Sequence, residues 1–167
     1  VELAPLHEGL GKALNYAVIR EKQRDVMDAL PGVHNVCILD AGDARNIHVR
    51  KKRPVGERLA LLARKYVYGE MELLADSPRL CSAGRADSTV SLKFLYSGSG
   101  LFWKKTSCRP LYVEADGSMV APEIDVCEDT VTLHSDIFSK AKQIKVRYCE
   151  ENYCEAALFN SAGLPAF

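Results

Sequence analysis

No stretch of this 167-residue sequence stays apolar for the roughly 20 residues that a bilayer-crossing helix needs, which excludes a helical membrane span. Excess charge of either sign is also missing. Lysine plus arginine and aspartate plus glutamate both number 22, so no global field favours nucleic acid or an anionic surface. The six cysteines contain no Cys-x-x-Cys spacing and the four histidines no His-x-His, which speaks against zinc and for disulfides. No Gly-x-Ser-x-Gly elbow surrounds any serine. Ser82, Ser97, Ser99 and Ser161 lie among loop-forming residues, and none is a credible nucleophile. The opening Val1-Glu2-Leu3-Ala4-Pro5 lacks the charged start, apolar core and cleavage site of a secretion signal. It lacks methionine too, so the chain reads as an internal or processed product.

What is present is the composition of an ordinary globular protein. With 47% hydrophobic and 26% charged residues, the chain is not of the disordered class and buries a sizeable core in one or two domains. Up to about Glu72 the pattern alternates between strand and helix: a strand end at Val1 to Pro5, a long helix from Gly9 to Leu30, a strand at Val36 to Leu39, and a helix opened by Pro54. The first helix carries Leu10, Leu14, Val18, Val26 and Leu30 at helical spacing and ends at Pro31-Gly32. The second carries Val55, Leu59, Leu62, Ala63 and Tyr66 on one face. Beyond Asp76-Ser77-Pro78 the period becomes two. Val90, Leu92, Phe94 and Tyr96, then Val131 and Leu133, then Ile144, Val146 and Tyr148 alternate with polar residues. Turn signals at Ser97 to Gly100, Asp116-Gly117-Ser118 and Glu128-Asp129 separate them, predicting a small antiparallel sandwich.

The segment Asn35 to Tyr68 is the most informative. Val36-Cys37-Ile38-Leu39 reads as a short buried parallel strand that empties into a loop through Asp40, Gly42 and Asp43, and His48 follows a few residues on. Ligands of open α/β sheets gather at that carboxyl edge. Asp40, Asp43 and Asn46 are close enough in sequence for one of them to bond the imidazole nitrogen facing away from a substrate, fixing its tautomer. On pattern alone His48 reads as an exposed loop histidine.

The run Asn46 to Ala63, with Val67-Tyr68-Gly69-Glu70 behind it, resembles the histidine block of the sialate O-acetylesterases, relatives of the SGNH hydrolases. The end of the chain agrees: Arg147-Tyr148, then Ala157-Leu158-Phe159-Asn160 and Gly163-Leu164-Pro165-Ala166, is similar to that family's C-terminal signature. Val1 to Pro5 resembles the strand before the family's penultimate hydrolase helix. The resemblance implies an α/β fold: residues 1–72 as the C-terminal half of an SGNH-type three-layer hydrolase domain and residues 73–167 as the β-sandwich. Three departures stand out. Val49 follows the histidine where the family has proline, Asn46 stands where many members have aspartate, and nothing matches the family's nucleophilic serine or its oxyanion-hole residues.

The resemblance therefore implies a divided acyl-transfer centre acting on O-acetyl esters of sialic acid or related sugars. His48 is its general base, with Asn46 and Asp43 as candidates to orient the ring, and the serine comes from an N-terminal partner chain or segment. The alternative is a truncated relative that binds carbohydrate or another protein without turnover. No cofactor, nucleic acid or membrane span enters either reading, and the expected setting is secreted, lysosomal or periplasmic. His7, at the end of the first strand, and Arg50, at the head of the basic run Arg50 to Arg53, are the candidate substrate contacts; a structural histidine and a solvated helix approach are the plain alternatives. Cys37 reads as a small buried hydrophobe. Cys149 and Cys154 flank a four-residue polar loop that a disulfide would close, and animal members of the family carry a pair there. Cys108 and Cys127 form a possible second pair, leaving Cys81 free. Trp103, the lone tryptophan, is either core or a sugar platform, while Arg147 and Asn160 are expected to hold the β unit against the hydrolase part.

Overall fold

The computed structural model of the chain describes residues 1–7 and 15–167. It is a mixed α/β structure whose sheets are antiparallel. Two helices come first, α1 (Tyr16–Ala29) and α2 (Lys52–Tyr66). The strands follow: β1 (Arg79–Ala86), β2 (Thr89–Leu95), β3 (Leu101–Trp103), β4 (Leu111–Ala115), β5 (Ser118–Val120), β6 (Glu123–Cys127), β7 (Thr130–His134), then helix α3 (Asp136–Lys140), β8 (Ile144–Tyr148) and β9 (Leu158–Asn160). They pair as β1-β2-β7-β6, β5-β4-β8 and β3-β9.

The alternating residues enter the core where the period of two places them. Val90 and Leu92 of β2 and Val131 and Leu133 of β7 meet Leu111, Val113 and Ala115 of β4 in one apolar cluster sealed by Phe138 of α3. Three of the tight connections use positive φ. Ala115 pairs with Ser118 across Asp116 (φ 46°) and Gly117 (φ 84°), a two-residue turn of the type whose twist matches the flanking strands. Asp87 (φ 47°) and Glu128 (φ 50°) occupy the equivalent first positions of the β1–β2 and β6–β7 hairpins. Strand β1 has no period-two signal because it is an edge, exposed along nearly its whole length and irregular in register between Leu80 and Ser82.

The first seventy residues depart from the sequence expectation. Val36 to Leu39 is buried but forms no strand. Val1 to His7 runs alongside it in the same sense, joined by Glu2 N to Val36 O (2.9 Å) and His7 N to Ala44 O (3.0 Å), too few bonds to make a ladder. A parallel strand is defined by its neighbours, and among the described residues no strand flanks this segment.

Both helices are rotated relative to the apolar stripes proposed for them. In α1 the buried residues are Tyr16, Ala17 and Arg20, while Val18, Val26 and Leu30 face solvent; Leu10 and Leu14, with the predicted start at Gly9, lie outside the described residues. Arg20 decides the orientation. Its guanidinium, 1% exposed, donates to three carbonyls of the Cys149–Asn152 turn, at 3.0 Å to Cys149, 2.6 Å to Glu151 and 3.4 Å to Asn152. In α2 the buried stripe is Arg58 and Leu62, with Leu59 and Tyr66 exposed, and the helix begins at Lys52, two residues before Pro54.

Asn160 is fully buried, but its side chain bonds only within residues 73–167 and does not reach the first seventy-two. Its Nδ2 donates to Asp76 O (3.1 Å) and Tyr96 O (2.9 Å), and its Oδ1 accepts from Ala162 N and Leu164 N. Arg147 likewise pairs only within the β unit. It is half exposed on β8 and pairs with Glu114 and Glu150.

Candidate active site

The loop that carries His48 is anchored at its root by a side chain absent from the sequence-based site. Arg58 of α2 donates to both carboxylate oxygens of Asp40 (2.7 and 2.6 Å) and to Cys37 O (2.8 Å). This fork-to-fork contact fixes where the buried segment ends and the loop begins. Gly42 follows because nothing larger fits: a Cβ there would stand 2.8 Å from Pro5 O and closer still to the proline ring. The glycine thus allows Pro5 and the loop to touch, while the amide of His7 holds Ala44. His7 itself is exposed beside this junction.

His48 is exposed, between half-buried Ile47 and buried Val49. Val49, which stands where a proline was the family's pattern, packs with Val36, Ile38 and Leu62 and so tethers the histidine's backbone. The three candidate orienting groups are engaged elsewhere. Asp40 is bound by Arg58, Asp43 Oδ1 accepts from Arg45 N (2.8 Å), and Asn46 Oδ1 accepts from His48 N (2.9 Å). Asn46 therefore shapes the backbone at His48 through an Asx turn. Among the described residues no hydrogen bond reaches the imidazole itself, and no serine hydroxyl does. Arg50 is exposed on the same loop.

Beyond the loop lies a groove of about 380 Å³, bordered by Asp40, Gly42 and Lys51 on one side and by Lys104, Lys105, Tyr153 and Glu155 on the other. Lys104 Nζ sits 4.2 Å from the ring centre of Phe159. Glu155 accepts from the Ser107 amide (3.2 Å) and the Tyr153 hydroxyl (2.9 Å). Above all the Ser107 amide holds its carboxyl below the usual glutamate range, whereas burial and then Glu155 push the Tyr153 phenol up to about 12. With Asp40 neutralised by Arg58, three lysines face one uncompensated carboxylate, and the groove carries net positive charge. Its residues come from distant parts of the chain and give no joint signal in the sequence. Arg58 beneath it does give one, a charge in register with Val55 and Leu62 on the stripe that faces the core.

The groove's far wall is built on a disulfide. Cys149 and Cys154 are bonded, closing the turn whose carbonyls Arg20 holds. Cys108 and Cys127 are not paired: Cys127 is exposed on β6, and Cys108 Sγ accepts from Glu155 N (3.1 Å). Cys37 is fully buried, and burial raises its thiol well above the ordinary range, as suits an inert core residue. Trp103 is half buried, edge-on to Tyr148 at 6.2 Å. Among the described residues no three His, Cys, Asp or Glu side chains gather as metal ligands, and no helix is long and apolar enough to cross a membrane. A disulfide is what an oxidising compartment permits.

No protein-family model matches the sequence, and no curated protein matches it closely enough to carry an argument. Among solved structures, the chain is similar to a carbohydrate acetylesterase from Xanthomonas citri, with a TM-score of 0.81 and 30% sequence identity. The match covers 99% of this chain and 38% of the acetylesterase, so the chain spans well under half the length of that enzyme. Over nearly its whole length the chain is thus similar to one part of a carbohydrate esterase.

Proposed function

We propose that this chain is the histidine-bearing part of an acetyl-sugar esterase. His48 removes the proton of a serine hydroxyl supplied by an N-terminal segment or chain outside these 167 residues, and then returns that proton to the departing sugar oxygen. The observation that carries the reading is the likeness to a carbohydrate acetylesterase along 99% of this chain, with His48 exposed on a loop whose backbone is fixed by Asn46, Val49 and the Asp40–Arg58 pair. Residues 1–72 then belong to the hydrolase part and 73–167 to the β unit. The exposed Val18, Val26, Leu59, Val67 and Tyr68 are surface for the missing part to cover. In that assembly Asn46 or Asp43 turns toward the imidazole only if its present backbone bond is released, which makes the incoming segment a further source of the orienting group. The positive groove beside the loop favours an acidic sugar, sialic acid among them; Arg50 and His7 are exposed but do not line it. Secretion fits the disulfide.

The reading is tested by producing the chain together with the serine-bearing segment of a homologous esterase and following release of acetate from an acetylated chromogenic ester. Turnover is expected, and it is expected to be lost in His48→Ala. Full turnover in that variant would remove His48 from the mechanism. One observation favours a second reading, a carbohydrate-binding module without turnover: the imidazole has no orienting partner among the described residues. Sugar binding without any acetate release, in the presence of the serine-bearing segment, would select it.

A further inference from the structure

At the other end of the buried segment Val36 to Leu39 lies a second cavity, of about 310 Å³, whose wall includes His34, Asn35, Tyr66, Asp76, Arg79 and Tyr96. Since His34 and Asn35 precede the segment and Asp40 and Gly42 follow it, the two sites are separated by four extended residues, roughly 13 Å. Nothing in the proposed acyl transfer uses this cavity.

Three features define what it would take. Asn35 lines the cavity while its Nδ2 is buried with no acceptor among the described residues, a cost of about 1–3 kcal/mol that turning the side chain into the cavity toward a ligand oxygen would relieve. The charges in the wall cancel in pairs: Asp76 binds Lys65 (2.7 Å), and Asp28 binds Arg79 (2.5 Å). An ionic ligand would therefore find no counter-charge, while hydroxyl groups would find both donors and acceptors in the half-exposed Asp28–Arg79 pair. Lastly, the walls are aromatic. His34 stacks on Tyr66 with ring centres 3.6 Å apart, and Tyr96 is 40% exposed. Planar rings beside amide, carboxylate and guanidinium groups suit a ligand with an apolar C–H face and a rim of hydroxyls.

The cavity also continues. Asp28, Arg79 and Phe167 are shared with an adjoining apolar cleft of about 360 Å³ that runs under α1 to Trp103, so the bound molecule can be longer than one ring. We propose that this groove binds a neutral oligosaccharide, as a site separate from the candidate active site. The proposal goes beyond the esterase reading and needs no turnover.

The test is isothermal titration calorimetry of the whole chain with xylotetraose and with tetra-N-acetylchitotetraose, and with trigalacturonic acid as the charged control. A neutral oligosaccharide is expected to bind more tightly than the acid. Asn35→Ala and Tyr96→Asn should each weaken it by about five- to tenfold, the worth of one hydrogen bond or ring contact. Asparagine is chosen at Tyr96 because that residue has φ 60°, which asparagine tolerates. Loss of the orphaned amide should leave the thermal midpoint of Asn35→Ala unchanged or raised, so weakened binding is not confused with unfolding. Lys104→Ala, in the other groove, should leave affinity unaltered. No binding of either neutral oligosaccharide at millimolar concentration would overturn the proposal. So would tighter binding of the acid, or sensitivity to Lys104→Ala without sensitivity to Asn35→Ala and Tyr96→Asn. None of these results bears on whether the assembled enzyme releases acetate.

Discussion

Arg58 and Asp40 meet through two parallel hydrogen bonds of 2.7 and 2.6 Å, and the same guanidinium nitrogen that makes the first also holds Cys37 O. The contact joins α2 to the residue from which the His48 loop departs. Because the Arg58 side chain is nearly buried, truncation would leave a carboxylate and a carbonyl facing an apolar helix surface. Arg58→Ala is expected to cost about 3–5 kcal/mol, read as a fall in the urea midpoint at constant slope. Arg58→Lys should recover less than half, since an ammonium cannot reproduce the fork. A loss below about 1 kcal/mol in Arg58→Ala would show the pair to be surface-like.

Asp116 gives a pH-dependent prediction. Its carboxylate accepts from the amides of Lys142 (3.0 and 2.9 Å) and Gln143 (2.8 Å), which hold its carboxyl below the usual aspartate range. A folded-state value below the unfolded one means stability that is present above the ordinary aspartate range and is lost as pH falls through the lowered value. Asp116→Asn keeps a residue suited to φ 46° and removes only the charge. The variant should be less stable than the parent at neutral pH, with the gap closing on acidification. A gap that stays constant from pH 7 to acid would refute the assignment.

Asn160 makes four hydrogen bonds with no exposed surface. Its replacement by alanine removes the partner of two carbonyls and two amides, the Leu164 amide among them being buried. A loss of about 2–4 kcal/mol is expected, with hydrogen exchange accelerating at Ala162 and Leu164 before the β2–β7 pair is affected. Uniform acceleration across the sheet would instead make Asn160 part of the global core.

The Cys149–Cys154 bond closes a ring of only six residues. Loop-closure entropy for a ring that size is about 2 kcal/mol, and Cys154→Ser should cost roughly that. Its reach is longer than its ring, because Tyr153 and Glu155 of the groove wall lie beside it. Binding of an acidic sugar to the lysine-rich groove should weaken on reduction, and unchanged affinity after reduction would show that the wall stands without the bond.

How far the sequence could be read differs between its two parts, for a physical reason. In β2, β4 and β7 the inward residues repeat at every second position, and the turns use residues such as Gly117 that accept positive φ, so local pattern and tertiary packing agree there. In the first seventy residues they do not. The stripe Val18, Val26, Leu30 is a true apolar face, but it is left to solvent while Arg20, a cation, goes inside because three carbonyls await it. Those carbonyls lie 129 to 132 residues further along the chain, a separation that leaves no periodic trace. Arg58 does stand out as a charge within an apolar stripe, but nothing local names Asp40 as its acceptor. The groove formed by Lys51, Lys104 and Glu155 is equally silent in the sequence. His48 stands out as a candidate base only through the motif around it; its exposure agrees with the local pattern, while the tether through Val49 leaves no local signal.

The grip of Arg20 on the oxidised turn has a consequence for how the molecule is made. The three carbonyl oxygens that accept from this guanidinium lie inside the six-residue ring, so the sulfur bond restricts where they stand. Produced in a reducing host, α1 would have to seat a cation against acceptors still wandering, and its detachment would bare Glu2 and Cys37 beneath it. Material matured in an oxidising compartment and material refolded without an oxidant should thus be two different preparations of one polypeptide, the second losing its first helix to protease well ahead of its sheets.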